Sequence, residues 1–531
     1  MRRCLISFAL LLLLVPARAQ DRIYVATDRP AYLSGEEIFC SLFCVDENGH
    51  RSPFSAVAYA ELVSADGTAA EVKIGLFNGR GAGSFRIPAS TPTGNYRLIA
   101  YTARSAAVAE DSRILSVFNP FTSERVKGGC TLAPEGLRKP APDLSEGLQL
   151  SLPANLRPGR NTTMVVSGAR QAAQLAVSVY HEDGLEQAPA FTLASFLGGK
   201  AAPAGNRPGE YEGEILYANV EGESTTAILS TAGDPSLVYM GRSDENGRIR
   251  FYTGNIYGDR ELVCEVISVN GKTGHISIGS PFTHPGAGSV PPLVLSPEQR
   301  DALVGRKSAL LSGNATLDTL VNFLPKREDL LLEGITPRRY HLDDYNRFPT
   351  VQEVCVEIIH ELQFTRSRGR WAVKMVVKDG NKERNYVQDN ILVMMDGVVL
   401  TDHGMLVDFD AMLLEDVDLY RQAVVIGGLS YNGVVNFITK KNYVTSLLFP
   451  ENVRVIDFKG VSYPVAYPGG VVKPEKDLRQ LLYWHPALEL EAGTPLYIPL
   501  ILPAYQGHFR AVAEGWLEDG TPVRAEFTFE I

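Results

Sequence analysis

The sequence predicts a mainly β protein built from tandem β-sandwiches and one α+β domain. Short alternating apolar and polar runs recur along the 531 residues, separated by Gly, Pro, Asn and Asp, which is typical of antiparallel sheets. A turn followed by a strand recurs as GSFR, GRIR and GHFR, beginning at Gly83, Gly247 and Gly507. This spacing is too irregular for a solenoid. Helical periodicity stands out near residues 350–362, which predicts the α+β domain there.

The chain begins with a segment typical of a secretory signal peptide, residues 1–19. Arg2 and Arg3 precede an apolar run from Leu5 to Val15, and Ala17-Arg18-Ala19 fits a small-x-small cleavage site. The run is too short to cross a bilayer, which argues against an uncleaved anchor, and no later segment has 18 consecutive apolar residues. We therefore expect export across the inner membrane, to the periplasm or an outer-membrane-associated position, with no transmembrane segment.

The charge of the chain argues against a nucleic-acid-binding protein, and its cysteine content argues against a disulfide-rich protein. The chain has 51 basic and 61 acidic residues and a net charge of −10, so no nucleic-acid partner is expected. The cysteines after the leader are scattered and odd in number, which does not indicate a disulfide framework. Cys40 and Cys44 share one face of a predicted strand at roughly 13 Å, too far apart for a bond. We expect both to be small core residues.

Residues 20–118 carry the first family resemblance. The predicted strand IFCSLFCV, residues 38–45, alternates, which places Cys40 and Cys44 on the inner face and Phe39 and Phe43 on the opposite one. The segment resembles a macroglobulin-type β-sandwich domain through Thr27-Asp28-Arg29-Pro30, Tyr32, Ser34-Gly35-Glu36 and Gly94-x-Tyr96-Arg97-Leu98. The thioester motif Cys-Gly-Glu-Gln of α-macroglobulins does not occur in the chain, so covalent trapping of proteases is not implied.

Pro- and Gly-rich stretches at 119–147, 186–210 and 283–297 divide the rest of the chain. The predicted pieces are a second β-sandwich-like region at 148–208, a third β domain at 209–285, a linker with some helix at 286–335, an α+β domain at 336–445 and a C-terminal β-sandwich at 446–531. We expect the β domains to be macroglobulin- or immunoglobulin-like sandwiches. The last segment contains nine prolines from Pro450 to Pro522, which fits a soluble sandwich better than a membrane barrel.

The α+β domain begins with a helix signature. Thr350 and Glu353 form a capping box, and an apolar face follows at helical spacing, formed by Val351, Val354, Cys355, Ile358 and Leu362. A turn at Asp396-Gly397, a short helical turn near residues 411–414 and a closing strand at 434–439 complete the pattern.

This order resembles the plug domain of TonB-dependent receptors, and the matching positions include Asp396, Gly397, Tyr431, Asn432 and Gly433. The combination with a macroglobulin-type domain resembles a group of secreted or outer-membrane-associated proteins of the Bacteroidota. The resemblance implies a protein partner in the cell envelope, which could be an outer-membrane barrel.

Catalytic motifs occur as near misses, and no catalytic residue, cofactor or metal site is predicted. His360 begins a zinc-protease pattern, but Phe364 stands where the second histidine is needed. Ser430 lies in a near-match to a nucleophile elbow that has Asn432 in place of the second glycine. An acidic cluster at residues 408–418 could supply paired carboxylates or hold calcium, although such groups more often cap turns and solvate surfaces.

A candidate partner surface precedes the helix, formed by Tyr340, Tyr345, Arg347 and Phe348. Exposed aromatic and arginine side chains are enriched at interfaces, and core packing is the competing interpretation. The leading hypothesis is a non-enzymatic binding or scaffold protein of the cell envelope that docks a partner through the plug-like domain. One alternative is an accessory of TonB-dependent transport whose plug-like domain engages a barrel from another chain. The other is an acid-pair hydrolase that uses Asp408 and Asp410.

Overall fold

The computed structural model describes residues 20–531 except 110–111, 123–146, 187–190, 200–202, 206, 222–224, 234–235, 268–274, 314–316, 318–319, 324–331, 333, 379–384, 427 and 471–475. The predicted signal peptide, Cys130 and Gly427 therefore lie outside the described residues. The predicted mainly β class is confirmed by the strands below. Among the described residues, no helix is long and apolar enough to cross a membrane.

Eight strands from residues 22–118 form most of the first sandwich. They are β1 (Arg22–Thr27), β2 (Ala31–Leu33), β3 (Glu37–Val45), β4 (Val57–Ser64), β5 (Gly67–Phe77), β6 (Arg80–Arg86), β7 (Gly94–Tyr101) and β8 (Arg113–Phe118). Their order is β1-β3-β6-β5-β4-β7-β8-β2, and β5 belongs to both sheets. As predicted, Cys40 and Cys44 are free thiols in the core between the sheets, whereas Phe39 and Phe43 lie on the opposite face. That opposite face is also buried, against other parts of the chain.

The middle of the chain continues with strands and two helices. They are β9 (Gln149–Ser151), β10 (Asn161–Ser167), β11 (Ala173–His181), α1 (Leu193–Leu197), β12 (Ile215–Val220), β13 (Thr226–Thr231), β14 (Val238–Arg242), β15 (Arg248–Tyr252), β16 (Arg260–Ile267), β17 (Ile276–Ile278), α2 (Pro297–Leu311) and β18 (Val321–Asn322). Helix α2 starts at a capping box formed by Ser296 and Gln299 and packs against β2 of the first sandwich. The predicted linker is therefore docked along part of its length.

The α+β domain follows. Its elements are β19 (Arg338–His341), α3 (Val351–Glu357), β20 (Leu362–Ser367), β21 (Arg370–Lys378), β22 (Asn385–Gln388), β23 (Leu392–Met395), β24 (Val398–Val399), α4 (Gly404–Val407), β25 (Leu414–Tyr420), β26 (Val424–Ile426), β27 (Leu429–Tyr431) and β28 (Val434–Thr439). The predicted capping box is confirmed. The side chains of Thr350 and Glu353 each accept a hydrogen bond from the other residue's backbone amide, at 3.2 Å in both cases. The helix is shorter than predicted, since Leu362 begins β20. The chain leaves the helix at Ile358-Ile359, β-branched residues with low helix propensity.

The C-terminal strands return to domains that began much earlier in the chain. They are β29 (Val453–Phe458), β30 (Val461–Ser462), β31 (Val465–Ala466), β32 (Leu481–Leu490), β33 (Leu496–Ile501), β34 (His508–Leu517) and β35 (Pro522–Glu530). Sheets β33-β10-β9 and β32-β11-β34-β35 form one sandwich around one core. Sheets β15-β12-β17 and β14-β13-β16-β29 form the next.

The predicted domain division therefore needs a correction. Regions 148–208 and 446–531 are not separate sandwiches, because β11 lies between β32 and β34. The third sandwich is inserted into this second one, and the α+β domain is inserted between β17 and β29 of the third. The three strands β9–β11 cannot enclose a core alone, and alternation shows which face of a strand is buried without showing its distant partner.

Candidate functional site

The α+β domain is organised around a five-stranded sheet with the order β19-β25-β28-β23-β24. Strands β23 and β28 are parallel, and the remaining pairs are antiparallel. One face of the sheet packs with α3 and α4 in a common core, and its other face contributes Leu392, Met394 and Val434 to a cluster shared with the third sandwich. The sheet is thus covered on both sides.

The predicted turn at Asp396-Gly397 joins β23 to β24. Both residues have left-handed backbone angles, with φ of 47° and 83°, as a two-residue hairpin turn of this type requires. The Asp396 carboxylate is buried and accepts hydrogen bonds from the Thr439 amide and hydroxyl at 2.7 Å each and from the Val444 amide at 3.2 Å. It therefore ties the turn to the end of β28.

We expect Asp396→Asn to lower the free energy of unfolding by about 1.5–3 kcal/mol, because the charged acceptor of these bonds is replaced by a neutral amide. Denaturant midpoints of the two proteins give the difference. Asp408→Asn is the matched control, since Asp408 is exposed and its substitution should change stability by less than about 0.5 kcal/mol. Equal midpoints for both variants would show that the Asp396 bonds contribute nothing.

The turn is also a contact with the third sandwich. The Gly397 carbonyl accepts a hydrogen bond from the Ser236 hydroxyl at 3.0 Å. A Cβ at Gly397 would lie 2.6 Å from the Cβ of Ser236, so a glycine is required for this approach. Two of the plug-like positions, Asp396 and Gly397, thus have partners within the chain.

The other plug-like positions hold the start of β28. Tyr431 is half-buried, and Asn432 is exposed and donates from its side chain to the Asp389 carbonyl at 2.8 Å. Gly433 is buried, and a Cβ there would lie 2.9 Å from the Tyr420 carbonyl oxygen. These residues fit a structural role in closing the sheet.

The candidate partner surface is largely occupied by internal contacts. Tyr340 is 7% exposed, and its hydroxyl donates to Glu361 at 2.6 Å. Arg347 bonds Asp343 and donates to the Leu414 carbonyl at 3.0 Å, and Phe348 packs against the core. Tyr345 is 45% exposed. The contacts of three of the four residues therefore fit the competing interpretation, packing within the domain.

The acidic cluster at 408–418 is divided between caps and ion pairs. Asp410 accepts a bond from the Met412 amide at 2.9 Å and caps the 3₁₀ helix Ala411–Leu413. The Asp418 carboxylate accepts two hydrogen bonds from the Arg339 guanidinium, one from Nε and one from Nη2, at 2.7 Å each. Asp416 lies 2.6 Å from Nδ1 of His341, and this hydrogen bond raises the pKa of His341. The two Asp side chains on β25 are thus already matched by basic groups.

A feature outside the predicted surface is the three-stranded sheet β20-β21-β22, which carries exposed arginines and an edge strand. Arg366, Arg368 and Arg370 are all exposed at the turn between β20 and β21. Strand β22 is the last strand of the sheet, and no other described strand pairs with its outer edge. Val387 on this strand is 48% exposed. The sequence signal was the run RSRGR, in which three arginines alternate across a glycine turn.

A cleft of about 1000 Å³ lies on the first sandwich. Strands β5 and β6 form one wall, and segments 258–259, 282–284, 320–322 and 459–465 border it. Strand β30, which pairs in parallel with β5, also lines the cleft. The cleft depends on segments far apart in sequence, and local patterns did not predict it.

Comparison with solved structures finds bacterial α2-macroglobulins. The methylamine-reacted protein from Salmonella aligns with 96% of this chain and 39% of its own length, at 11% identity and a TM-score of 0.25. The native Escherichia coli protein aligns with 97% and 40%, at 10% identity and a TM-score of 0.25. Dimeric latent PorU from Porphyromonas gingivalis aligns with 49% of this chain and 33% of its own, at 10% identity and a TM-score of 0.17.

The chain spans about two fifths of the length of these macroglobulins. Similarity at these TM-scores supports no functional conclusion, and the fold class rests on the sheets described above. No known protein-family profile matches the sequence, and no curated protein matches it.

Proposed function

We propose that the protein is a non-enzymatic binding or scaffold protein of the cell envelope, exported across the inner membrane, whose α+β domain docks a protein partner. The observation that carries this proposal is the sheet β20-β21-β22, which combines three exposed arginines at its turn with an edge strand open on one side. An extended segment of a partner can add to such an edge through main-chain hydrogen bonds.

The chemistry of the partner follows from charge. The whole chain has a net charge of −10. The three arginines of RSRGR therefore form a positively charged patch on a protein that is negatively charged as a whole. Arginine is enriched at protein interfaces and binds carboxylates through two parallel hydrogen bonds. The partner surface is therefore acidic, and Val387 adds an apolar contact beside the edge of the sheet.

We expect Arg368→Glu/Arg370→Glu to reduce recovery of an envelope partner by more than tenfold, since it reverses the charge of the docking turn. The measurement is capture of the tagged full chain from its native host after mild crosslinking, followed by identification of co-purifying envelope proteins. Arg248→Glu/Arg250→Glu is the matched control. These two arginines are also exposed and two positions apart, on β15 of the third sandwich, and their substitution makes the same change of charge.

Two results would count against this proposal. One is recovery of no envelope protein by the unmodified chain. The other is equal recovery of the same partner by both double variants. Binding of an identified partner should also weaken as salt is raised, because exposed charges are screened.

The transport-accessory alternative requires the plug-like positions to face a barrel from another chain. Asp396 and Gly397 instead contact the end of β28 and the third sandwich, which favours docking through β20-β21-β22. Measurement of envelope permeability and uptake with the Arg368→Glu/Arg370→Glu variant separates the two roles. A loss of partner capture with unchanged uptake supports the scaffold role.

A further inference from the structure

Glu61, Glu71 and His284 bring two carboxylates and an imidazole together beside the cleft on the first sandwich. Nδ1 of His284 lies 3.1 Å from Oε2 of Glu61 and 4.0 Å from Oε2 of Glu71. One ligand atom from each of the three side chains lies within 4.8 Å of the others. Ligands of a tetrahedral zinc ion, each about 2 Å from the metal, are separated from one another by about 3.3 Å. Small side-chain movements would therefore place all three around one ion.

The charge of Glu61 is the independent observation that points to a cation. Its side chain is 0% exposed. Among the described residues, the one basic group within 4 Å of its carboxylate is the imidazole of His284, which is itself a common metal ligand. Burying a carboxylate costs free energy even when it is hydrogen-bonded, and a nearby positive charge offsets this cost. A metal ion between Glu61 and Glu71 would add such a charge to that of Lys459, whose Nζ lies 3.5 Å from Oε1 of Glu71.

Surrounding hydrogen bonds hold the three groups in place. Oε1 of Glu61 accepts from the Tyr101 hydroxyl at 2.6 Å and from the amides of Thr283 and His284 at 3.2 and 3.1 Å. Oε2 accepts a hydrogen bond from the Thr68 hydroxyl at 3.0 Å and lies 3.1 Å from Nδ1 of His284. His284 has a left-handed φ of 47°, a strained conformation for this residue. Outer contacts that orient ligands in this way are typical of metal sites.

The geometry points to a site for a divalent transition-metal ion, Zn²⁺ by its ligand chemistry, held by Glu61, Glu71 and His284. A nitrogen ligand favours zinc over calcium or magnesium, which take oxygen ligands. Glu71 and His284 both line the cleft, so the fourth coordination position opens into it. Three protein ligands with one open position can bind a water molecule or a carboxylate of a ligand in the cleft.

Cobalt(II) titration of the full chain tests this site, because tetrahedral Co²⁺ with nitrogen and oxygen ligands has intense visible absorption bands. Cys4→Ser/Cys130→Ser serves as the background so that neither thiol can bind the ion, while Cys40, Cys44, Cys264 and Cys355 are buried. We expect one equivalent of Co²⁺ to bind and to be displaced by one equivalent of Zn²⁺. His284→Ala and Glu71→Gln should each weaken binding by more than tenfold.

His508→Ala is the matched control. His508 is also exposed and paired with a carboxylate, Glu530, at 3.3 Å, and its loss should leave the titration unchanged. The inference is overturned if the unmodified chain gives no saturable tetrahedral spectrum, or if His284→Ala and His508→Ala bind equally well. Circular dichroism checks the fold of each variant. If His284→Ala is misfolded, Glu71→Gln decides, because the Glu71 side chain is 23% exposed and its substitution is conservative.

Discussion

Replacing Arg306 with alanine is expected to lower the free energy of unfolding by about 3–5 kcal/mol, because it removes the nearest cation from two largely buried carboxylates. Glu36 keeps a second arginine, Arg29, at 3.6 Å. Arg306 on α2 is 5% exposed. Its guanidinium lies 3.3 Å from Oε1 of Glu36 and 3.1 Å from Oδ2 of Asp183, and it donates to the Ala31 carbonyl at 3.0 Å. Glu36 belongs to the first sandwich, and Asp183 follows β11 of the second.

The same substitution should change the dependence of stability on pH. Burial alone would raise the pKa of Glu36, but the charges of Arg306 and Arg29 lower it below its usual value. A lowered pKa in the folded state stabilises the protein above the pKa of the unfolded state, about 4.3. This contribution is lost as the pH falls through the folded-state pKa. The difference between wild type and Arg306→Ala should therefore be largest near neutral pH and shrink below about pH 4.

Arg300→Ala is the matched control for this prediction, because Arg300 is an exposed arginine on the same helix. Its loss should change the free energy of unfolding by less than about 0.5 kcal/mol. Denaturant unfolding at pH 7 and at about pH 3 measures both effects. If the two arginine variants unfold at the same midpoint at pH 7, the ion pairs of Arg306 do not hold α2 between the sandwiches.

The role of α2 shows where prediction from sequence stops. Its start could be predicted locally, since Ser296 and Gln299 form a capping box, and the sequence interpretation recognised only some helix in this linker. Its function depends on Arg306 meeting Glu36, which lies 270 residues earlier in the chain. No local pattern in a single sequence reports such a contact.

The candidate site likewise combines features encoded by neighbouring residues with contacts between residues far apart in the chain. The Thr350–Glu353 box and the Asp396-Gly397 turn follow from local backbone chemistry and were predicted. The burial of Tyr340 could not be predicted, because it depends on Glu361 and a core assembled from several strands. The Glu61–His284 contact spans 223 residues, so the metal site that we infer had no spacing motif to reveal it.

Truncation of Phe43 is expected to have an effect of similar size to the loss of Arg306. Phe43 lies on the outer face of β3 and is 2% exposed. Its ring centroid is 4.7 Å from that of Trp516 on β34 and 6.3 Å from that of Tyr24, and the Arg80 guanidinium carbon lies 4.2 Å above its ring. The side chain therefore packs the first sandwich against the second.

Phe43→Ala should lower the free energy of unfolding by about 3–5 kcal/mol, because the lost burial is accompanied by a cavity that the two hydrogen-bonded sheets cannot close. Phe43→Leu should cost less than about 1.5–2 kcal/mol, since it keeps most of the volume. Phe77→Ala is the control, because Phe77 lies in the same sandwich but is 80% exposed. Denaturant midpoints rank the three variants. Equal midpoints for Phe43→Ala and Phe77→Ala would mean that the face of β3 bearing Phe43 is not packed against β34 in solution, and the nested arrangement of the sandwiches would then have to be revised.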